Sequence, residues 1–161
     1  MGEVTGAPRR AARTPATHDH AYDGRPDQIQ HVRAFLAGIL DGCPVADNAV
    51  LIGDELATNA VRHSNSGKPG GRFSVHVELH EPDYLWIEVK DEGSPPWTPR
   101  SPDGEPWHGL NIVRQFAGHA NWGVDGDIRG WVVWARLDLT SPQPSSEHAG
   151  NGVVLCPFVL I

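Results

Sequence analysis

Residues 45–64 read VADNAVLIGDELATNAVRHS, and the reading of the fold starts from where their side chains fall. At 100° per residue, Val45, Ala49, Ile52, Leu56 and Ala60 line one face of a helix. The same rotation brings Glu55, Asn59 and Arg62 to within about 40° of one line, beside the apolar face rather than opposite it. These three polar side chains therefore edge the core and face a cleft. An amide oxygen on Asn59 is a hard ligand of the kind Mg²⁺ takes together with waters and phosphate oxygens. Glu55, one turn earlier, can accept a proton from an attacking hydroxyl, and Arg62 can offset phosphate charge. Taken alone, the three are equally well read as a solvated helix face.

Working outward, a first helix is expected from Pro26 and Asp27 to about Leu40, with Ile29, Val32, Leu36 and Ile39 on one stripe and Gly42 beyond its end. An early strand over residues 16–22 can add to a sheet edge. The alternating His18 and His20 fit it, and zinc binding by that pair is the weaker reading, with no third ligand in view. From Arg72 the period changes to two: Phe73, Val75, Val77 and Leu79 face one way, and Ser74, His76, Glu78 and His80 the other. After a turn at Glu81, Pro82 and Asp83, Leu85, Ile87 and Val89 alternate with Trp86, Glu88 and Lys90, giving an antiparallel partner. A Pro/Gly-rich loop follows at residues 92–106. Then come a helix at about 109–117, closed by Gly118, and two strands at about 120–124 and 131–139. The order predicts an α+β domain, a two-layer sandwich in which a mixed, mainly antiparallel sheet carries its helices on one face. The expected organisation is a tail over residues 1–15, the domain over 16–139, and a Pro/Ser-rich tail over 140–161 that ends in an apolar segment.

Asp91 continues the inward parity of its strand, where a carboxylate is costly unless donors meet it. The exocyclic amine of an adenine is such a donor; the plainer reading is an aspartate capping the turn into Glu92 and Gly93. Gly93 allows close backbone approach to a planar base. Further on, His108-Gly109-Leu110-Asn111 opens a helix after the loop. Free N–H groups and the positive dipole end at such a start suit a triphosphate.

The bulk numbers narrow the alternatives. With 161 residues the chain has room for one ordinary core. A formal net charge of -7 without any Lys/Arg block argues against direct nucleic-acid binding. Cys43 and Cys156 lack CxxC spacing and signal neither a zinc site nor a disulfide framework, which points to the cytoplasm. The arginine-containing start has no apolar stretch of the secretory kind, and no run approaches the roughly 20 apolar residues of a membrane span. P-loop, Rossmann and nucleophile-elbow patterns are lacking. The six tryptophans are read as mainly structural, with outward-facing Trp86 and Trp134 suiting a partner surface.

Taken together, Glu55-Leu-Ala-Thr-Asn59-Ala-Val-Arg-His63, Asp91-Glu-Gly93 and Gly109-Leu-Asn-Ile-Val113 resemble the N, G1 and G2 boxes of the GHKL superfamily of ATPases and kinases, which has the Bergerat fold. Within it the chain is most similar to the bacterial anti-sigma-factor serine/threonine kinases, which carry a histidine kinase-like ATPase domain. The likeness spans residues 16–139, and a chain near this length lacks the sensor and dimerisation domains of histidine kinases. It implies ATP and Mg²⁺ as cofactors. Glu55 would be the catalytic base, Asn59 the Mg²⁺ ligand and Asp91 the adenine contact. Gly93 and Gly109 would shape the pocket, with Arg62, His63, His108 and Leu110 completing the nucleotide contacts. It also implies a sigma factor and a STAS-type anti-sigma-factor antagonist as competing partners; a homodimer is an open alternative on which the sequence is silent.

The chain departs from the family pattern at Pro95 and Trp107, where glycines are usual, and Arg100 does not fall at the position of the basic lid residue. Both replacements stiffen the backbone near the phosphates. They favour a rival expectation, a regulator that binds nucleotide or protein without catalysis. A small ATPase with water as acceptor is the third.

Overall fold

The strands form because apolar and polar residues alternate, and the sheet closes because the apolar sets meet in register. The computed structural model describes residues 14–93, 108–118 and 121–140, with the side chains of residues 108 and 109 not among them. Strands β1 (Ala16–Asp23), β2 (Arg72–His80), β3 (Tyr84–Lys90), β4 (Trp122–Asp127) and β5 (Gly130–Asp138) form one sheet in the order β1-β2-β3-β5-β4. Every pairing among the described residues is antiparallel, so the mainly antiparallel expectation holds and the mixed part of it is corrected. Val77 lies opposite Ile87, and Ile87 opposite Ala135, so their side chains stack across the sheet on one face.

That face is covered by α1 (Ile29–Ile39), α2 (Ala46–His63) and α3 (His108–Ala117). The stripe Ile29, Val32, Leu36 and Ile39 of α1 is buried, as are Ala49, Ile52, Leu56 and Ala60 of α2 and Leu110, Val113 and Ala117 of α3. These join the inward side chains of β2, β3 and β5 in one core. The architecture is the two-layer Bergerat arrangement that the sequence led us to expect.

Boundaries moved in a few places. The first turn of the first helix is a 3-10 turn, Pro26–Gln28, because proline lacks the N–H that a tighter entry leaves unused. Strand β4 runs to Asp127 rather than ending near residue 124, since backbone pairing with β5 carries Asp125, Gly126 and Asp127 despite their low strand propensity. Residues 1–13, 94–107, 119–120 and 141–161 lie outside the described residues, and with them Pro95, Arg100, Trp107, the expected lid and the apolar C-terminal segment. One expectation is corrected: Cys43, buried in the turn between α1 and α2, is disulfide-bonded. The cysteine count thus no longer argues for the cytoplasm. None of the described helices is long and apolar enough to cross a membrane.

The other face of the sheet carries the outward residues. Trp86 stacks on Trp134 with ring centroids 4.4 Å apart. Nearby, His76 places Nδ1 2.7 Å from Asp19 of edge strand β1 and Nε2 2.9 Å from Glu78, whose other oxygen lies 2.6 Å from His80. Two acceptors on one ring call for an imidazolium, because a neutral ring donates only once. Partial burial would lower its pKa, but the bonds to Glu78 and Asp19, with the charges of Asp19 and Glu88, raise it overall. A raised histidine pKa gives stability that is complete below the unfolded value near 6.5 and is lost as pH rises through the folded value. Denaturation midpoints between pH 6 and 9 are therefore expected to fall in the native chain, and His76→Gln is expected to remove most of that slope.

Candidate functional site

Strand β3 ends at Lys90, and Asp91 follows with the inward parity its position demands. Asp91 lines one pocket with Val89 of the same strand, Leu56, Asn59, Ala60 and His63 of α2, Leu110 of α3, and Trp131 and Val133 of β5. The fold thus brings Asn59, His63, Asp91 and Leu110 together from three separate stretches of chain. Sequence reasoning missed Trp131. Its signal was present, since inward parity counted back from Leu137 through Ala135 and Val133 arrives at it.

Asp91 makes the capping turn of its plainer reading. Its Oδ1 accepts the N–H of Gly93 at 2.6 Å, the capping turn, and that of Trp131 at 3.0 Å. Neither bond uses Oδ2. Burial pushes the carboxyl up from its ordinary pKa, the two backbone donors pull it down, and Glu92 adds to the rise, which prevails.

The helix α2 is turned slightly relative to the line through Glu55, Asn59 and Arg62. Its pocket side runs through Leu56, Asn59, Ala60 and His63, so Glu55 stands beside the lining rather than in it. Glu55 is half-buried, and its pKa is raised by desolvation and by Asp54, with Arg62 acting against the rise. Arg62 is exposed and lines a separate groove with Pro26, Ile29, Arg33, Thr58 and Val61. Its charge still reaches Glu55 and His63. Desolvation and that charge lower the His63 pKa. Helix α3 starts at His108, one residue earlier than expected.

Gly93 has a reason to be glycine that belongs to the fold. Its φ is +74°, and a Cβ there would stand 2.1 Å from the carbonyl oxygen of Ile128 in the β4–β5 turn. The close backbone neighbour in the structure is therefore that turn. Gly93→Ala combines a left-handed backbone with a clash against backbone, and a loss of about 2 kcal/mol or more is expected, read as a lowered thermal midpoint.

Whether ATP and Mg²⁺ suit these residues is a question of donors and space. The Asn59 amide offers the hard oxygen Mg²⁺ accepts. No group of three or more His, Cys, Asp or Glu side chains among the described residues could hold a metal alone, so the phosphates would have to supply most of the other ligands. Asp91 offers the acceptor that an adenine amine needs, between apolar walls suited to a base. The donor set fits. The space is small, about 20 Å³, enough for one water, so a purine needs more room than the described walls leave.

Comparison with known proteins agrees with this geometry. None of the curated proteins matches the chain. The histidine kinase-like ATPase domain matches residues 22–136, from the end of β1 nearly to the end of β5. With a match over most of its length and the fold to go with it, the chain belongs to the histidine kinase-like ATPase family, within the GHKL superfamily.

Proposed function

We propose that this domain is an ATP-dependent protein serine/threonine kinase of the anti-sigma-factor type, acting on a serine of a STAS-type antagonist and sequestering a sigma factor. The reading is supported above all by one observation: Asn59 and Asp91 line the same pocket from opposite layers, so one nucleotide can touch both. Asp91 would accept the adenine amine through Oδ2, and the apolar walls would hold the base. Mg²⁺ held by Asn59 would offset the charge of the triphosphate.

For the transfer, the serine oxygen forms a bond to the γ-phosphorus while the bond from that phosphorus to the β,γ-bridging oxygen breaks. ADP leaves, and the hydroxyl proton passes to Glu55. Its raised pKa suits a base that must hold that proton for a time. Most of the acceleration would come from positioning the two oxygens in line. The test is transfer of label from radiolabelled ATP to candidate antagonists, with Glu55→Ala and Asn59→Ala as controls. Transfer that needs both residues supports the kinase, and transfer indifferent to them sinks it.

A non-catalytic anti-sigma regulator is favoured by two observations, the narrow pocket and the place of Glu55 beside it. Calorimetric titration with ATP, with and without Mg²⁺, separates the cases in part. A chain that binds its protein partner but no nucleotide is the regulator.

A further inference from the structure

Just beyond α2 lies a polar group for which the nucleotide contacts proposed above have no use. Ser66 is fully buried, the one buried polar side chain among the described residues. It sits in the 3-10 turn Asn65–Gly67 that follows α2. Its Oγ donates to the carbonyl of Arg72 at the start of β2, 2.6 Å away, and accepts the N–H of Glu92 at 3.0 Å. Next to it, the Asn65 N–H bonds the Gly93 carbonyl at 2.7 Å, and the Asn65 amide reaches the Glu92 carbonyl at 3.3 Å. The two residues on either side of Glu92 are Asp91 and Gly93. The end of the helix that carries Asn59 and His63 is thereby bonded to the segment that carries Asp91.

The surrounding backbone leaves this turn little freedom. A Cβ on Gly24 would stand 1.6 Å from the Ser66 carbonyl oxygen, and one on Gly71 would stand 2.3 Å from it. Chain from β1 and chain from β2 therefore press on the same peptide. A hydroxyl is the smallest side chain that both donates and accepts. In so tight a place, a larger one would have to displace backbone.

We infer that Ser66 is a positioning residue: it fixes the distance between Asn59 on α2 and Asp91 after β3, so that one nucleotide can engage both at once. The inference rests on the ATP-binding reading. Ser66→Ala leaves the Glu92 N–H without its partner and lets the Asp91 segment drift, while the interior of α2 is untouched. The adenine end of the site should suffer and the phosphate end should not.

The test uses the full chain and three probes: ATP with Mg²⁺, adenosine, and inorganic tripolyphosphate with Mg²⁺. In Ser66→Ala, affinities for ATP and adenosine are expected to fall together by about tenfold, the equivalent of one buried hydrogen bond. Tripolyphosphate binding stays at the wild-type value, and the Glu92 amide exchanges faster. Ile39→Val, in the core of α1, serves as a variant destabilised away from the site, and its ATP affinity should not change. The inference is overturned if Ser66→Ala binds ATP and adenosine as the wild type does, if all three probes weaken alike, or if Ile39→Val weakens ATP equally. Failure of the wild-type chain to bind ATP removes the nucleotide reading itself, and the positioning role with it. Wild-type binding with an indifferent Ser66→Ala removes the positioning role alone.

Discussion

Glu55→Gln is expected to slow phosphoryl transfer by about 10²- to 10⁴-fold, the usual contribution of a placed general base, while ATP affinity stays within about twofold of wild type. The amide matches the carboxylate in size but takes no proton near neutral pH. Affinity is spared because Glu55 stands beside the pocket lining, not in it. The pH dependence gives a second readout. Desolvation and the neighbouring Asp54 raise the Glu55 pKa, against the pull of Arg62. The wild-type rate should fall on acidification about a midpoint above the ordinary glutamate value, and the Gln variant should lack that limb. Single-turnover transfer from radiolabelled ATP measures both. A Gln variant that transfers at the wild-type rate would leave Glu55 as a helix-face residue and the kinase without its base.

Asp91→Asn is expected to weaken ATP by about 10²-fold, near 3 kcal/mol, with the fold intact. The asparagine oxygen can still accept the N–H groups of Gly93 and Trp131, so the thermal midpoint should change by only a few degrees. Where Oδ2 stood, the amide presents donors to the adenine amine, another donor. Two donors facing each other lose the hydrogen bond and leave both groups desolvated without a partner. Because burial holds the Asp91 carboxyl above its ordinary pKa, ATP affinity in the wild type should fall as pH drops through that raised value, and Asp91→Asn should bind weakly at every pH. Calorimetry across pH 4–8 measures the affinities. An asparagine variant that binds ATP like the wild type would move adenine recognition elsewhere.

Much of this was legible in the chain because the information was local. The stripe of α1, the apolar face of α2 and the alternation of β2 and β3 are periodicities, and burial follows periodicity wherever a single core has to be filled. All of the residues expected inside on these elements are buried. The inward parity of Asp91 was read in the same way and holds.

What was not legible depends on distant pieces of chain. Glu55, Asn59 and Arg62 share one line on a helical wheel, but the wheel does not say how far the helix is turned toward its neighbours. Packing turned it so that His63 faces the pocket and Arg62 faces a different groove. The reason for glycine at position 93 lies in the carbonyl of Ile128, 35 residues away, and the partners of Ser66 lie at Arg72 and Glu92.

The sequence by itself determined the helices, the strands, their inward faces and the three boxes that mark the family, because each is written in neighbours a few residues apart. Only the tertiary structure decided the strand order, the turn of α2 about its own axis, the clamp at Ser66 and the narrowness of the pocket. Those depend on which surfaces meet and how closely they pack, and such distances are set across the core rather than along the chain.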